Sequence, residues 1–318
     1  MFYANKSVYI VYLKAIAELA SVCMISRILY YIVFGLMWTL TLLPLSVLHI
    51  LSDFLFLIFY HLVSYRRKIT EANLRNSFPE KSTQEINQIA KKFYRRLADQ
   101  IIESFKLLHL SKKEISKRFK YVNPELLEEL YQSGRSIMLL CGHYGTWEWM
   151  VGMPLITKYK VLAVYQPPSF SEFSRIYHYI SNRFGINPVP MREIFREIME
   201  SKSKNELTAT FILGDQSPPP EQIKFWTTFL NQDTPAITGF DRIAQKTNQA
   251  VVYMDIVWTK RGFYEITFQI ISDNPKQVEE YGITRDYLKA LEKTIIRGPE
   301  LWLWTHRRWK RKREHHTE

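Results

Sequence analysis

Apolar and polar positions divide the chain into two stretches of different rhythm. Between Arg27 and Arg66 the one charged residue is Asp53, and Ile28 to Ser52 reads ILYYIVFGLMWTLTLLPLSVLHILS without a charge. A helix of that length rises about 37 Å, enough to cross a hydrocarbon core about 30 Å thick. Pro44 interrupts the run, and apolar residues continue through Val63. Two arrangements fit. One is a single kinked span; the other is a shorter inserted helix up to Leu43 followed by a second helix lying along a membrane surface. A buried core helix is the soluble alternative, but soluble cores rarely sustain so long an uncharged run. The run starts too late, is too long and lacks the small-residue site of a cleaved signal peptide. The expected organisation is an N-terminal membrane-anchoring region over 1–65, with the span at about 28–52, and a second region over 66–318.

From Thr70 onward the pattern is that of an α/β domain. Ser82-Thr83-Gln84-Glu85 is a capping box. It opens a long helix with apolar residues at Ile86, Ile89, Phe93, Leu97, Ile101 and Phe105, a 3–4 spacing that buries one face. Ser111 and Glu114 repeat the cap, Asn123-Pro124 starts another helix, and Gly134 ends it. The period then changes. Ser136 to Cys141 is an apolar run of strand length, followed by Gly142-His143-Tyr144-Gly145 and a helical stretch from Thr146. Val161–Tyr165, Leu207–Leu213, Val251–Val257 and Phe263–Ile271 are further strands. Helical patterns at Ser171–Phe184, Arg192–Ser201 and Pro235–Lys246 separate most of them. This alternation predicts a mixed, mostly parallel central sheet flanked by helices. The short Lys260-Arg261-Gly262 turn makes the last two strands an antiparallel hairpin. In such sheets reactive groups gather at the carboxyl ends of strands, here in loops 142–148, 165–170 and 214–220.

Composition narrows the class. The 318 residues are 47% hydrophobic and 23% charged, which excludes intrinsic disorder. A mean hydropathy of −0.19 argues against a polytopic transporter. Forty-three Lys and Arg against 31 Asp and Glu leave a net charge of +12, which points to an anionic partner. Cys23 and Cys141 lie far apart, and neither belongs to a Cys/His cluster, so no metal site is expected. Arg66, Arg67 and Lys68 follow the apolar run and place the second region in the cytoplasm by the positive-inside rule; Lys6, Lys14 and Arg27 on the other side weaken that signal.

His143 stands just past the Ser136–Cys141 strand, with Glu148 five positions later. With the histidine in the turn and the glutamate in the first helical turn, the two side chains can meet. Gly142 and Gly145 supply the backbone freedom such a turn needs. A carboxylate on one imidazole nitrogen fixes the tautomer and leaves the other as a general base. Backbone N–H groups of the Gly142–Thr146 turn are candidates for an oxyanion site. The spacing alone arises by chance about once in a chain of this composition. The strand, the Gly-His-x-Gly turn and the helix around it carry the reading. A structural histidine is the alternative. Asp215 and Gln216 follow the strand TATFIL, either as a substrate or structural contact near that pair or as a strand-end cap holding the Pro218-Pro219-Pro220 loop. Trp226, Phe229 and Leu230 read as core or channel lining without chemistry.

Cys141 to Met150, CGHYGTWEWM, resembles the HxxxxE block of the bacterial lipid A late acyltransferases of the lauroyl/myristoyl type, within the wider glycerolipid acyltransferase-like superfamily. Asn73-Leu74-Arg75-Asn76-Ser77-Phe78-Pro79 resembles the family's NL-x-x-SFP segment, and Gly214-Asp215-Gln216 its DQ block. Pro299 to Arg308 resembles its PE-x-x-LW-x-HRR signature. The blocks run in order from about Ile28 to Arg311. The resemblance implies transfer of a fatty acyl chain from acyl carrier protein to a hydroxyl of a lipid A precursor. It implies a bacterial inner-membrane enzyme with its catalytic domain in the cytoplasm and no cofactor. His143 would be the base and Glu148 its partner. Tyr165-Gln166-Pro167 departs from the family's Tyr-Arg-Pro; the anion contact expected at Gln166 then falls to Arg175 or Arg183. Another glycolipid or aminolipid acceptor, or a non-catalytic basic membrane adaptor, remains open.

Arg307, Arg308, Lys310, Arg311, Lys312 and Arg313 interleave with Trp302, Trp304 and Trp309. No nucleic-acid-binding motif presents this patch, so nucleic acid is not an expected partner. Tryptophans favour the membrane interface, and each Lys or Arg near an anionic surface contributes about 1 kcal/mol. Anionic membrane lipid is therefore the expected contact of this tail, with the acidic face of a carrier protein or acceptor phosphates as alternatives.

Overall fold

The computed structural model of the chain describes residues 31–32, 34–167 and 171–313, with backbone alone for 171–174. The expected start of the span at Ile28, the segment before Met24 and Cys23 lie outside the described residues.

Residues 34–40 are helical (α1), and the chain breaks at 41–44 before α2 (Leu45–Leu57), which continues as a π-helical turn over Ile58–Leu62. Helices α3 (Arg67–Ser77), α4 (Thr83–Lys106) and α5 (Lys112–Arg118) lead into the sheet. In chain order there follow β1 (Phe119–Tyr121), α6 (Glu125–Gln132), β2 (Ile137–Cys141), a 3-10 helix over Trp147–Leu155, β3 (Lys160–Tyr165), α7 (Ser171–Phe184) and β4 (Asn187–Pro190). Then come α8 (Ile194–Ser203), β5 (Thr208–Leu213), β6 (Trp226–Phe229), β7 (Gln232–Pro235), α9 (Gly239–Thr247), β8 (Ala250–Lys260), β9 (Phe263–Ser272) and α10 (Gly282–Arg297).

Seven strands form one sheet in the order β1-β9-β8-β2-β5-β3-β4. Every neighbouring pair is parallel except the β8–β9 hairpin. The expected α/β fold with a mostly parallel sheet is therefore the observed one. All of β2 is buried, as a central parallel strand covered on both faces must be. Both serine caps form. Ser82 accepts from the Glu85 N–H while Glu85 reaches back to the Ser82 N–H, and Ser111 accepts from Glu114.

The differences from expectation have local causes. Strand β4 reads NPVP, and two prolines are tolerated because it is the sheet's edge strand. Pro235 closes the separate β6–β7 hairpin, so the helix expected from Pro235 starts at Gly239 instead. Helix α10 is not among the expected elements, although Ile283, Tyr287, Leu288, Leu291 and Ile295 carry the helical period. The helical stretch after Thr146 is a 3-10 helix with Pro154 inside it.

Helix α4 lies beside α2 and buries an unexpectedly polar face. Ile86, Phe93 and Leu97 are inside as expected, but so are Asp99, Glu103 and Lys106, while Ile89, Ile101 and Phe105 are only half-buried. Each buried charge meets the apolar N-terminal stretch. Lys106 donates to the carbonyls of Thr41 and Leu43 at 2.7 and 2.8 Å, holding the break before Pro44. Ser52 donates to Asp99 at 2.6 Å. Arg261, at the tip of the β8–β9 hairpin, spans Asp99, Asp53 and the His49 carbonyl. The inner face of α2 is Leu45, Leu48, His49, Ser52 and Phe56. Its outer face is apolar and open: Ile50 is 58% exposed and Phe54 59%. The expected span at 28–52 is thus not one straight helix. It breaks at 41–44, and the stretch long and apolar enough to cross a membrane among the described residues is Leu45–Leu62.

Removing one partner of a buried ion pair costs about 3–5 kcal/mol. Arg261 keeps Asp53, so Asp99→Ala is expected to destabilise by about 2–3 kcal/mol, read as a lower thermal midpoint in detergent. An unchanged midpoint would contradict the role given to this knot.

Candidate active site

The site follows from strand register. In the parallel pair β2–β5, Cys141 stands opposite Leu213. Two residues beyond each strand end are His143 and Asp215, so the sheet delivers them side by side. His143 Nδ1 is 2.7 Å from Asp215 Oδ1, and the His143 backbone N–H donates to Oδ2 at 2.9 Å. Trp302 Nε1 donates to Oδ2 at 2.8 Å. Asp215 is only 2% exposed, yet its carboxylate is well satisfied. Gln216 Nε2 lies 3.1 Å from His143 Nε2. An imidazole that gives its Nδ1 proton to Asp215 accepts from Gln216 at Nε2.

The turn needs its glycines. A Cβ on Gly142 would stand 2.7 Å from Leu291 Cδ1, and Gly145 has φ +57°. The terminal segment closes over the turn: Gly145 donates to the Leu301 carbonyl at 2.9 Å, and Leu303 donates to the His143 carbonyl at 3.2 Å. Beside it opens a cavity of about 360 Å³ with Phe59, Leu97, Ile101 and Leu303 as its apolar wall and Arg66 and His306 on its polar side.

Electrostatics follow from burial. Desolvation works against a charged His143, but the Asp215 charge and hydrogen bond, with Glu148 adding to them, raise its pKa above the ordinary imidazole value. Burial would push Asp215 up; the His143 charge, with the hydrogen bonds from His143 and Trp302, wins and holds the carboxyl at about 2. Glu148 has less help, although the His143 charge also pulls it down. Desolvation raises it to about 7, offset only in part by Ser104 and Gln100 of α4, and its Oε2 is buried without a hydrogen-bond partner. Burial pushes His306 down to about 4, in keeping with its Nε2 accepting the Ser217 N–H at 3.2 Å.

The expected site residues fare differently. His143, Asp215 and Gln216 come together, and the strand-end motif acts as more than a cap. Glu148 is close enough to act on His143 by charge, but the ring's hydrogen bonds go to Asp215 and Gln216, so the expected orienting carboxylate is replaced by Asp215. Within the Gly142–Thr146 turn, the N–H groups of His143, Tyr144 and Gly145 are taken by Asp215, Gly142 and Leu301, so these three do not serve the expected oxyanion site. The Arg183 guanidinium is engaged within the protein, donating to the carbonyls of Leu107, Leu108 and Leu110, just past the end of α4. Gln166 is exposed just past the end of β3, and Arg175 is exposed on α7. Phe229 and Leu230 are core, as expected.

The tail differs most. Trp302 and Trp304 are 2% and 0% exposed, so these rings belong to the core and not to a membrane interface. Arg308 is 0% exposed, and none of its three guanidinium nitrogens has a hydrogen-bond partner among the described residues. Burial lowers its pKa to about 10, against the pull of the nearby Asp215 charge. A buried cation behind the Asp215 carboxylate is a site feature that a reading of the tail as solvated charge misses. The one signal for it is its place in the block that also supplies Trp302.

His143 titration separates the two carboxylates. An anion stabilises imidazolium, so Asp215→Asn lowers the His143 pKa seen by NMR, and Glu148→Gln lowers it by less. A larger shift in Glu148→Gln would contradict the assignment of Asp215 as the partner.

The family model described as bacterial lipid A biosynthesis acyltransferase matches residues 18–311. A lipid A biosynthesis acyltransferase of Haemophilus influenzae is 21% identical over 252 residues, which covers 77% of this chain and 76% of that protein.

Proposed function

Since the chain belongs to the bacterial lipid A biosynthesis acyltransferase family, we propose that it transfers a fatty acyl chain of lauroyl or myristoyl type from an acyl carrier protein thioester to a hydroxyl of a lipid A precursor. Membership assigns acyl transfer in lipid A biosynthesis. Donor, chain and mechanism are our reading. The observation that carries it is the His143 imidazole, held by Asp215 at Nδ1 and turned toward Gln216 at Nε2.

In this mechanism the acceptor hydroxyl takes the place of Gln216 at Nε2. His143 removes the hydroxyl proton as the oxygen attacks the thioester carbonyl. The tetrahedral intermediate collapses with loss of the carrier thiolate, which takes the proton back from His143. The Gln216 amide, released from the ring, donates to the oxyanion. Asp215 stays ionised throughout and stabilises the imidazolium. The cavity beside Leu303 takes the apolar part of one substrate. The open apolar face of α2, followed by Arg66, Arg67 and Lys68, rests on the cytoplasmic surface of the inner membrane, where anionic lipid meets the basic cluster.

General-base catalysis is worth about 10²–10⁴ in rate. With acyl carrier protein thioester and lipid A precursor, His143→Ala is expected to keep fold and membrane association while kcat falls at least about hundredfold. Transfer at the unaltered rate in this variant would sink the mechanism.

A further inference from the structure

Glu103 is completely buried, and the proposed mechanism makes no use of it. Its Oε2 accepts from Tyr264 at 2.9 Å and from the Thr146 hydroxyl; its Oε1 lies 3.1 Å from His49 Nε2. Its backbone carbonyl accepts from Trp149 Nε1 at 3.0 Å. Thr146 and Trp149 flank Glu148 on either side. One turn of α4 therefore grips the segment carrying Glu148 at two points, while Gln100 and Ser104 of that turn flank the Glu148 carboxyl. His49 comes from the other direction, from the inner face of α2. The opposite face of that helix is the open apolar surface of Ile50, Phe54 and Leu57. His49 and Thr146 are joined through the Glu103 carboxylate.

A packing residue would not need this chemistry. The carboxylate accepts three hydrogen bonds on two oxygens, which a glutamine, with a single acceptor oxygen, cannot reproduce. A buried carboxylate costs several kcal/mol unless its partners are complete. Complete partnering here requires α2 and the His143–Glu148 turn to be in place at the same time.

We propose that Glu103 is a positioning residue that ties the seating of helix α2, with its outer face on an anionic lipid surface, to the placement of the Glu148 segment. The proposal rests on the acyl-transfer reading above. Its consequence is that His49, which touches no substrate, sets the turnover rate through Thr146.

The test is a double-mutant cycle on the full-length protein, with turnover measured on vesicles of phosphatidylethanolamine and phosphatidylglycerol. His49→Phe and Thr146→Val each remove one arm of the link and are expected to lower kcat about tenfold with the KM for the acyl donor little changed. The double variant is expected to be no slower than the slower single one, since both cut one connection. Multiplying losses, near a hundredfold, would overturn the proposal. Thr146→Ser keeps the hydroxyl and is expected to restore kcat; a loss equal to that of Thr146→Val would also overturn it. The His143 imidazole resonances read the same link without turnover. They are expected to move in His49→Phe and stay in Thr146→Ser, and unmoved resonances in His49→Phe count against the link. If the unaltered protein transfers no acyl chain, the function reading fails, and these resonances still decide the link.

Discussion

The hydrogen-bonded pair of His143 and Asp215 is the contact on which the other features of the site depend. It exists because β2 and β5 are neighbours in register, so that residues far apart in the chain leave the sheet at the same level. The environment does the rest. Burial makes an isolated charge costly, and the pair answers that cost by splitting it: Asp215 is held ionised and His143 is pulled toward imidazolium. Glu148, buried beside them without such a partner, is left near neutrality at about 7. Two carboxylates with opposite tendencies thus lie around one imidazole, the kind of separation an acid–base site requires.

The terminal segment and α4 close the site from two directions. Residues 301–303 pair with the turn, Trp302 holds Asp215, and Arg308 sits behind that carboxylate as a buried positive charge. Helix α4 carries three buried charged residues where an amphipathic helix would carry apolar ones. Each is matched by a group of the break before Pro44, of α2, of the β8–β9 hairpin or of the turn that carries His143. Polar groups in a low-dielectric interior specify position more sharply than apolar packing does, because an unmade hydrogen bond there is expensive. The apolar stretch is therefore fastened to the domain through its polar residues, and its apolar side faces outward.

Much of this was legible in the sequence. The strands β2, β3, β5, β8 and β9, the two serine caps and the Gly-His-x-Gly turn are local patterns and appear as expected. Asp215 and Gln216 were readable as strand-end residues, but their contact with His143 depends on which strands are neighbours, and spacing along the chain does not contain that. Spacing favoured Glu148 because it is near in sequence, whereas the sheet brings Asp215 nearer in space. Arg183 and Arg308 show the same limit for charge. One binds the carbonyls past the end of α4 and the other is buried, and neither fate is visible in a count of basic residues. Helix α10 and the edge strand β4 stand apart from that explanation. The first carries a readable helical period, and the second is concealed by prolines that only an edge position permits.

The central claim, that this site acylates a lipid A precursor, is tested most directly by mass spectrometry of lipid A from cells with and without the gene. The account predicts that lipid A from cells lacking it is missing one secondary acyl chain, and that the gene carrying His143→Ala does not restore that chain. Lipid A of unchanged mass would contradict it.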